Sequence, residues 1–323
     1  MENLFQNEIE QEAITRIHKF AKIAETLGFE IALGFSGGKD SQVVYDLLKR
    51  SGVKFKAYYN VCFESPTTKK FIREKYPDVI WRKDYKFGFI ENIIKNHAGL
   101  LPTVKCAYCC ADYKHNPKYI DKCSIVGVRK SESKARSTRT SLSVKNKTEL
   151  KKNKKLIDSY FVENCQSLGT KSVIQLLPIV DWSDEEIWNY IKNHNLPINP
   201  EYEHAKRVGC MVCCKSNFTR NYYYLMKYPK LVDAFILAHT SNPKNNWTIS
   251  SENLDLTNDK VLFICRWLNR SFMPFSKKQQ QLYDQFRKRY DELKQQELCN
   301  TNNQRLLLTN KIKHYEKAHN VPA

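Results

Sequence analysis

Long apolar runs are missing from this 323-residue chain. No stretch approaches the roughly 18 consecutive apolar residues that a membrane-spanning helix needs. The opening segment MENLFQNEIEQEAI is acidic and has no apolar h-region, so a signal peptide is not expected and a cytoplasmic location is. No internal repeat is visible, which excludes solenoids and propellers. Acidic residues are few: 34 Asp+Glu stand against 53 Lys+Arg, for a net charge of +19. Such a surface attracts polyanions, nucleotides and nucleic acid among them, although a lysine excess also serves solubility alone. Disulfides are not expected, because a reducing compartment keeps thiols free.

The eleven cysteines are unevenly placed. Cys106, Cys109 and Cys110 form one group, and Cys210, Cys213 and Cys214 another. Cys62, Cys123, Cys165, Cys265 and Cys299 are scattered and read as ordinary buried thiols. Clustered thiols read as metal ligands or redox groups.

Helical and strand periods alternate along the first two thirds of the chain. Residues 7–27 space apolar side chains as a helix does and end at Gly28. Strands are predicted at 30–35, 55–63, 79–82, 124–128 and 173–180, with helices at 41–50, 67–76, 87–97 and 183–193 between or after them. The last opens with the capping-box pair Ser183 and Glu186. This alternation predicts an α/β fold, a parallel sheet with helices on both faces. From Asn217 onward only helical periods appear, so the expected layout is an α/β domain over 1–215 and a helical region over 216–323. The stretch 129–155 breaks the rhythm, with eleven Lys or Arg against two acids, Glu132 and Glu149. It is expected to be a long basic loop, either a nucleic-acid contact or a solvated surface segment.

Ser36-Gly37-Gly38-Lys39-Asp40-Ser41 falls between a predicted strand and a predicted helix. Glycines there let the backbone turn tightly and approach an anion, and the helix N-terminus offers unpaired N–H groups to it. Lys39 adds a point charge, Ser36 and Ser41 add hydroxyls, and Asp40 is a candidate Mg2+ ligand. The string is not the Walker A pattern. Cys106-x-x-Cys109 and Cys210-x-x-Cys213 spell a four-thiolate site suited to zinc, whereas the adjacent pair Cys109-Cys110 suits an iron–sulfur cluster. Spacing leaves both open.

The string SGGKDS resembles the PP-loop of the adenine nucleotide alpha hydrolase superfamily. Over roughly residues 30–215 the chain resembles the phosphoadenosine phosphosulfate (PAPS) reductase family within it. Gly127-Val-Arg129-Lys-Ser-Glu132-Ser133-Lys-Ala-Arg136 is similar to that family's G-[IV]-R-x-x-E-S-x-x-R element. The run Leu177-Pro-Ile-Val-Asp181-Trp182-Ser-Asp184-Glu-Glu-Ile-Trp188, with Leu196-Pro and Asn199-Pro-Glu-Tyr202 after it, follows the family's order. The resemblance implies a Rossmann-like fold that binds an adenine nucleotide through residues 36–41, Arg129 and Glu132, with Lys39 and Asp40 catalytic. More weakly, it implies Glu64 as a magnesium or ribose contact. It also implies a 4Fe-4S cluster on Cys109, Cys110, Cys210 and Cys213, with Cys106 and Cys214 in excess of the pattern and Lys114 close by. Reductases of the family act through a cysteine in a C-terminal E-C-G-x-H context, which this chain lacks; Glu297-Leu-Cys299-Asn has neither glycine nor histidine after the thiol. The chain also resembles the ATP pyrophosphatase–sulfurtransferase components of DNA phosphorothioation systems. That likeness implies ATP with Mg2+ as cosubstrate, DNA held by the 129–155 insert, and a sulfur-donor protein such as a cysteine desulfurase. The alternatives are an APS or PAPS reductase that makes sulfite, and a non-catalytic sensor of nucleotide or redox state.

Overall fold

The computed structural model describes residues 2–83, 87–114, 121–144, 147–160, 166–167 and 174–319. The chain divides into two units, Met1–Phe89 with Ala107–Met211, and Ile90–Cys106 with Val212–Ala323. Residues 90–106 thus belong with the C-terminal part, an association that chain order does not reveal.

The first unit is built on one sheet. Its strands are β1 (Ile31–Gly34), β2 (Lys56–Asn60), β3 (Ile80–Arg82), β4 (Cys123–Val126), β5 (Leu142–Val144), β6 (Gln166–Ser167) and β7 (Ile174–Leu176), in the order β3-β2-β1-β4-β7-β5-β6. All described pairs are parallel except β5–β7, in which Leu142 faces Leu176 and Val144 faces Ile174. The strands are short and apolar because they are covered: Leu33, Ile125, Ile174 and Leu176 are fully buried. Strand order reverses at β1, with β2 on one side and β4 on the other. In open α/β sheets that crevice at the strands' carboxyl ends collects ligands.

Helix α1 (Glu2–Thr26) buries Ile17, Phe20 and Ile23 at helical spacing and packs on α2 (Lys39–Ser51), which buries Val43, Val44, Leu47 and Leu48. Each such side chain contributes roughly 1.5–3 kcal/mol on leaving water. Helix α3 (Pro66–Lys75) starts with Ser65 accepting from the Thr68 N–H and proline in its first turn. After α4 (Phe89–Asn96) leads out of the unit, α5 (Lys147–Tyr160) and α6 (Asp184–Asn193) complete it. Ser183 and Glu186 form the expected capping box at the start of α6.

The structure corrects the long basic loop. Residues 130–132 and 134–136 form 3-10 turns, residues 142–144 enter the sheet as β5, and Lys147–Tyr160 is helical. Leu142, Ser143 and Val144 are all buried, and Asn153 and Ile157, four residues apart, turn one narrow face of α5 inward. Lys151, Lys152, Lys154 and Lys155 remain exposed.

The second unit is helical: α7 (Phe218–Lys227), α8 (Lys230–Thr240), α9 (Lys260–Trp267) and α10 (Lys277–His319), with a two-strand ribbon of β8 (Thr248–Ile249) and β9 (Leu254–Asp255). Phe218, Phe235, Trp267 and Phe286 fill its core. The Trp267 indole N–H donates to the Pro102 carbonyl at 2.6 Å, fastening residues 90–106 to these helices. No helix among the described residues is long and apolar enough to cross a membrane.

Candidate functional site

Strand β1 runs into Ser36-Gly37-Gly38, and α2 begins at Lys39, as the phosphate-loop reading requires. Gly37 adopts φ +71, and a Cβ there would lie 2.8 Å from the Ile72 side chain, so only glycine fits without strain. The N-cap residue Gly38 supplies no side-chain acceptor to the first turn of α2. Ser41 Oγ donates to the Gly38 carbonyl at 2.8 Å, and the Ser36 N–H donates to Ser41 Oγ at 3.2 Å. These hydroxyls therefore shape the loop itself.

Two residues that sequence reasoning quoted without a role hold the loop from outside. Asn199 Nδ2 donates to the Gly37 carbonyl at 2.9 Å, and the Lys39 N–H donates to the Tyr202 hydroxyl at 2.8 Å. Burial, then the nearby carboxylates, push the Tyr202 phenol up from its ordinary value, so it stays protonated.

Arg129 follows β4 and is only 1% exposed. Its Nε donates to Asp40 at 2.6 Å, its Nη2 to Asp184 at 2.5 Å, and its Nη1 to Ser131 Oγ at 2.7 Å and the Trp182 carbonyl at 3.1 Å. Lys39 Nζ lies 3.0 Å from Asp184 and 3.2 Å from Asp40. Two cations and two carboxylates thus alternate at the start of α2. Burial opposes charge on Asp184, but the hydrogen bonds and charges of Lys39 and Arg129 outweigh it and hold its carboxyl below the usual range. The guanidinium is committed to protein acceptors, so Arg129 is placed to position Asp40. Glu132 accepts from the Arg129 N–H and pairs with Arg136, closing a turn beside the guanidinium. Gly127 is pressed against α2: a Cβ there would lie 2.8 Å from the Asp40 carbonyl.

The second cluster lies past β2. Buried Glu64 accepts from the Tyr59 hydroxyl and the Cys62 N–H, both at 2.9 Å. Glu64 and Cys210 form an antiparallel bridge, and the Met211 N–H donates to the Phe63 carbonyl. That pairing brings Cys62 Sγ to 3.4 Å from Cys210 Sγ. Lys114 closes a π-helical turn, Cys110–Lys114, and its Nζ lies 3.9 Å from Glu64. Burial disfavours its charge, yet Cys210, Cys62, Glu64 and Cys110 together raise it above its ordinary value. Mutual hydrogen bonding with Cys210 and burial push the Cys62 thiol up.

Glu64 is therefore placed among thiols and Lys114. The charges of Cys62, Cys110 and Cys210 all act on that one cation, and Cys109 adjoins Cys110 in the chain. Cys213 lies in the second unit, where its N–H donates to Asn221 Oδ1 and its carbonyl accepts from Asn221 Nδ2. Cys106 is exposed, Cys214 buried, and Cys165 lies outside the described residues. Cys62, which the sequence left among the scattered thiols, carried one signal: it stands two residues before Glu64 at the end of a strand.

A sequence profile of the phosphoadenosine phosphosulfate reductase domain matches residues 30–216, well over half of the chain. The chain belongs to the phosphoadenosine phosphosulfate reductase domain family. Within this family, a 44-residue segment is 41% identical to an adenosine 5'-phosphosulfate reductase of Shouchella clausii, covering 13% of this chain and 18% of that protein. A 33-residue segment is 52% identical to a phosphoadenosine 5'-phosphosulfate reductase of Proteus mirabilis, covering 10% and 14%. A longer match, 25% identical over 223 residues, covers 64% of this chain and 46% of an uncharacterized protein of Methanocaldococcus jannaschii. The chain thus spans less than half the length of each of these relatives. Among solved structures, the U34-tRNA thiolase NcsA from Methanococcus maripaludis with its 4Fe-4S cluster superposes over 81% of this chain and 91% of its own, at 16% identity and a TM-score of 0.34.

Proposed function

We propose that this PAPS reductase-domain protein is an ATP pyrophosphatase that serves sulfur transfer. In this reading Lys39, the loop N–H groups and Mg2+ at Asp40 bind ATP. An acceptor oxygen attacks the α-phosphorus, the bond to the β-phosphate oxygen breaks, and pyrophosphate leaves. The terminal sulfur of a persulfide then displaces AMP, and a second thiol cleaves the S–S bond to release the thiolated acceptor. A phosphate oxygen is a poor leaving group until it is adenylated, which is why nucleotide cleavage precedes sulfur entry. The acceptor we favour is nucleic acid of the DNA phosphorothioation kind, drawn in by the +19 charge and the exposed lysines of α5.

The observation that carries this reading is the placement of the later thiols. Cys265 is fully buried, and Cys299 sits exposed on the polar helix α10 with no Gly-x-His after it. Neither thiol has the surroundings of the reductase nucleophile, which favours ATP over a sulfonucleotide as the ligand of the loop at residues 36–41. The thiols near Lys114 support a 4Fe-4S cluster in this reading, because the charges of Cys110 and Cys210 both act on that one cation and Cys109 adjoins Cys110. When bound, such a cluster supplies iron that accepts sulfur ligands. Lys114 then balances the negative charge of the thiolates.

The test is anaerobic purification with an iron count, followed by assays for pyrophosphate from ATP, with and without DNA, and for sulfite from APS or PAPS with thioredoxin. Pyrophosphate release stimulated by DNA is expected. Sulfite without pyrophosphate establishes the reductase reading, which the segments shared with reductases favour. Neither product from cluster-replete protein leaves the sensor.

A further inference from the structure

Cys62, Glu64 and Cys210 each present one donor atom, and the three donors lie within 4.8 Å of one another. Two are thiols 3.4 Å apart. Two sulfurs bound about 2.3 Å from a tetrahedral zinc ion are about 3.8 Å apart, so the pair needs to part by only a few tenths of an ångström to bind one. The backbone fixes the arrangement: the Glu64–Cys210 bridge and the Met211-to-Phe63 hydrogen bond hold two distant chain segments in register. Glu64 spends one carboxylate oxygen on Tyr59 and Cys62 N–H; the other faces Lys114 at 3.9 Å. Charge settles which ion fits. Two thiolates and a carboxylate carry three negative charges, and a divalent ion with the Lys114 ammonium carries three positive. A monovalent ion leaves a buried net charge, which is costly. Two sulfurs and one oxygen select a borderline-soft ion over Mg2+ or Ca2+.

We propose that Cys62, Glu64 and Cys210 bind a single divalent thiophilic cation, Zn2+, at a site distinct from the nucleotide loop. Binding forms two metal–sulfur bonds and one metal–oxygen bond while the two S–H protons leave to solvent; no electrons move. Cys210 also belongs to the proposed cluster set, so Zn2+ here and a cluster compete for one sulfur.

The test is titration of the full chain, stripped with chelator and reduced with phosphine under argon, with Co2+ as an optical stand-in for Zn2+. One equivalent is expected to produce the sulfur-to-cobalt charge-transfer band and the ligand-field bands of a tetrahedral ion, and Zn2+ should bleach both. Cys62→Ser should reduce the charge-transfer intensity by about half and weaken binding at least roughly tenfold, since even outer-shell changes cost that much. Glu64→Gln, which keeps size and the Tyr59 hydrogen bond, should weaken Co2+ binding while retaining both thiolate bands. Cys109→Ser and Cys213→Ser should bind Co2+ as the parent does. The proposal is overturned if no tetrahedral signal appears. It is equally overturned if Cys62→Ser and Glu64→Gln both bind as the parent does while Cys109→Ser or Cys213→Ser abolishes the signal. Iron counts on the same variants report separately on the cluster, which should survive Cys62→Ser.

Discussion

Removing the Arg129 guanidinium leaves Lys39, among the described residues, as the one cation paired to both Asp40 and Asp184. Losing one partner of a fully buried pair costs about 3–5 kcal/mol. Asp184 is largely exposed, so Arg129→Ala should cost on the order of 2–3 kcal/mol in urea unfolding. Arg129→Lys keeps charge but loses the fork, and should restore part of the stability while pyrophosphate release stays impaired. In the proposed reaction Lys39→Ala removes the charge that would meet the transferring phosphates, and should lower the rate roughly 10²–10³-fold with the fold intact. Protonation tests the same box. Against the opposing effect of burial, Lys39 and Arg129 depress the folded-state pKa of Asp184, so what it contributes is present above the ordinary value of about 4. It is lost as pH falls through the lower folded-state value. An acid-unfolding profile of Arg129→Ala should therefore be shallower than that of the parent below about pH 4.

At the scale of elements, α6 and α5 make opposite cases. Ser183→Ala breaks the capping box of α6 and should cost about 1 kcal/mol, read as a fall in thermal midpoint. That box was legible from sequence because its signal is local: two residues three apart before an apolar period. The same holds for the strand, glycine turn and helix around Lys39. Helix α5 and β5 were hidden because the basic stretch shows only a few apolar residues, and their meaning depends on partners far along the chain, such as Leu176 for Leu142. The Cys62–Cys210 approach was hidden for the same reason: a single backbone bridge joins residues 64 and 210, and no local period encodes it. Changing Lys151, Lys152, Lys154 and Lys155 of α5 to Gln tests its proposed role. The salt dependence of DNA binding should flatten by about 0.9 in log–log slope for each lysine that touches a phosphate. An unchanged slope would remove α5 from the interface.

Across the whole molecule, the +19 charge predicts that the proposed DNA binding weakens steeply between low and physiological salt, measurable by fluorescence anisotropy. The nucleotide site is expected to behave otherwise. Lys39, Arg129, Asp40 and Asp184 sum to zero, so the cradle already holds its own anions. Under the proposed function, entry of a triphosphate is then an ion exchange: nucleotide oxygens take over Lys39, and the displaced carboxylates need a cation in return. With magnesium as the proposed cation, ATP without it should bind poorly, and nucleotide and metal should bind as coupled ligands of one exchanger.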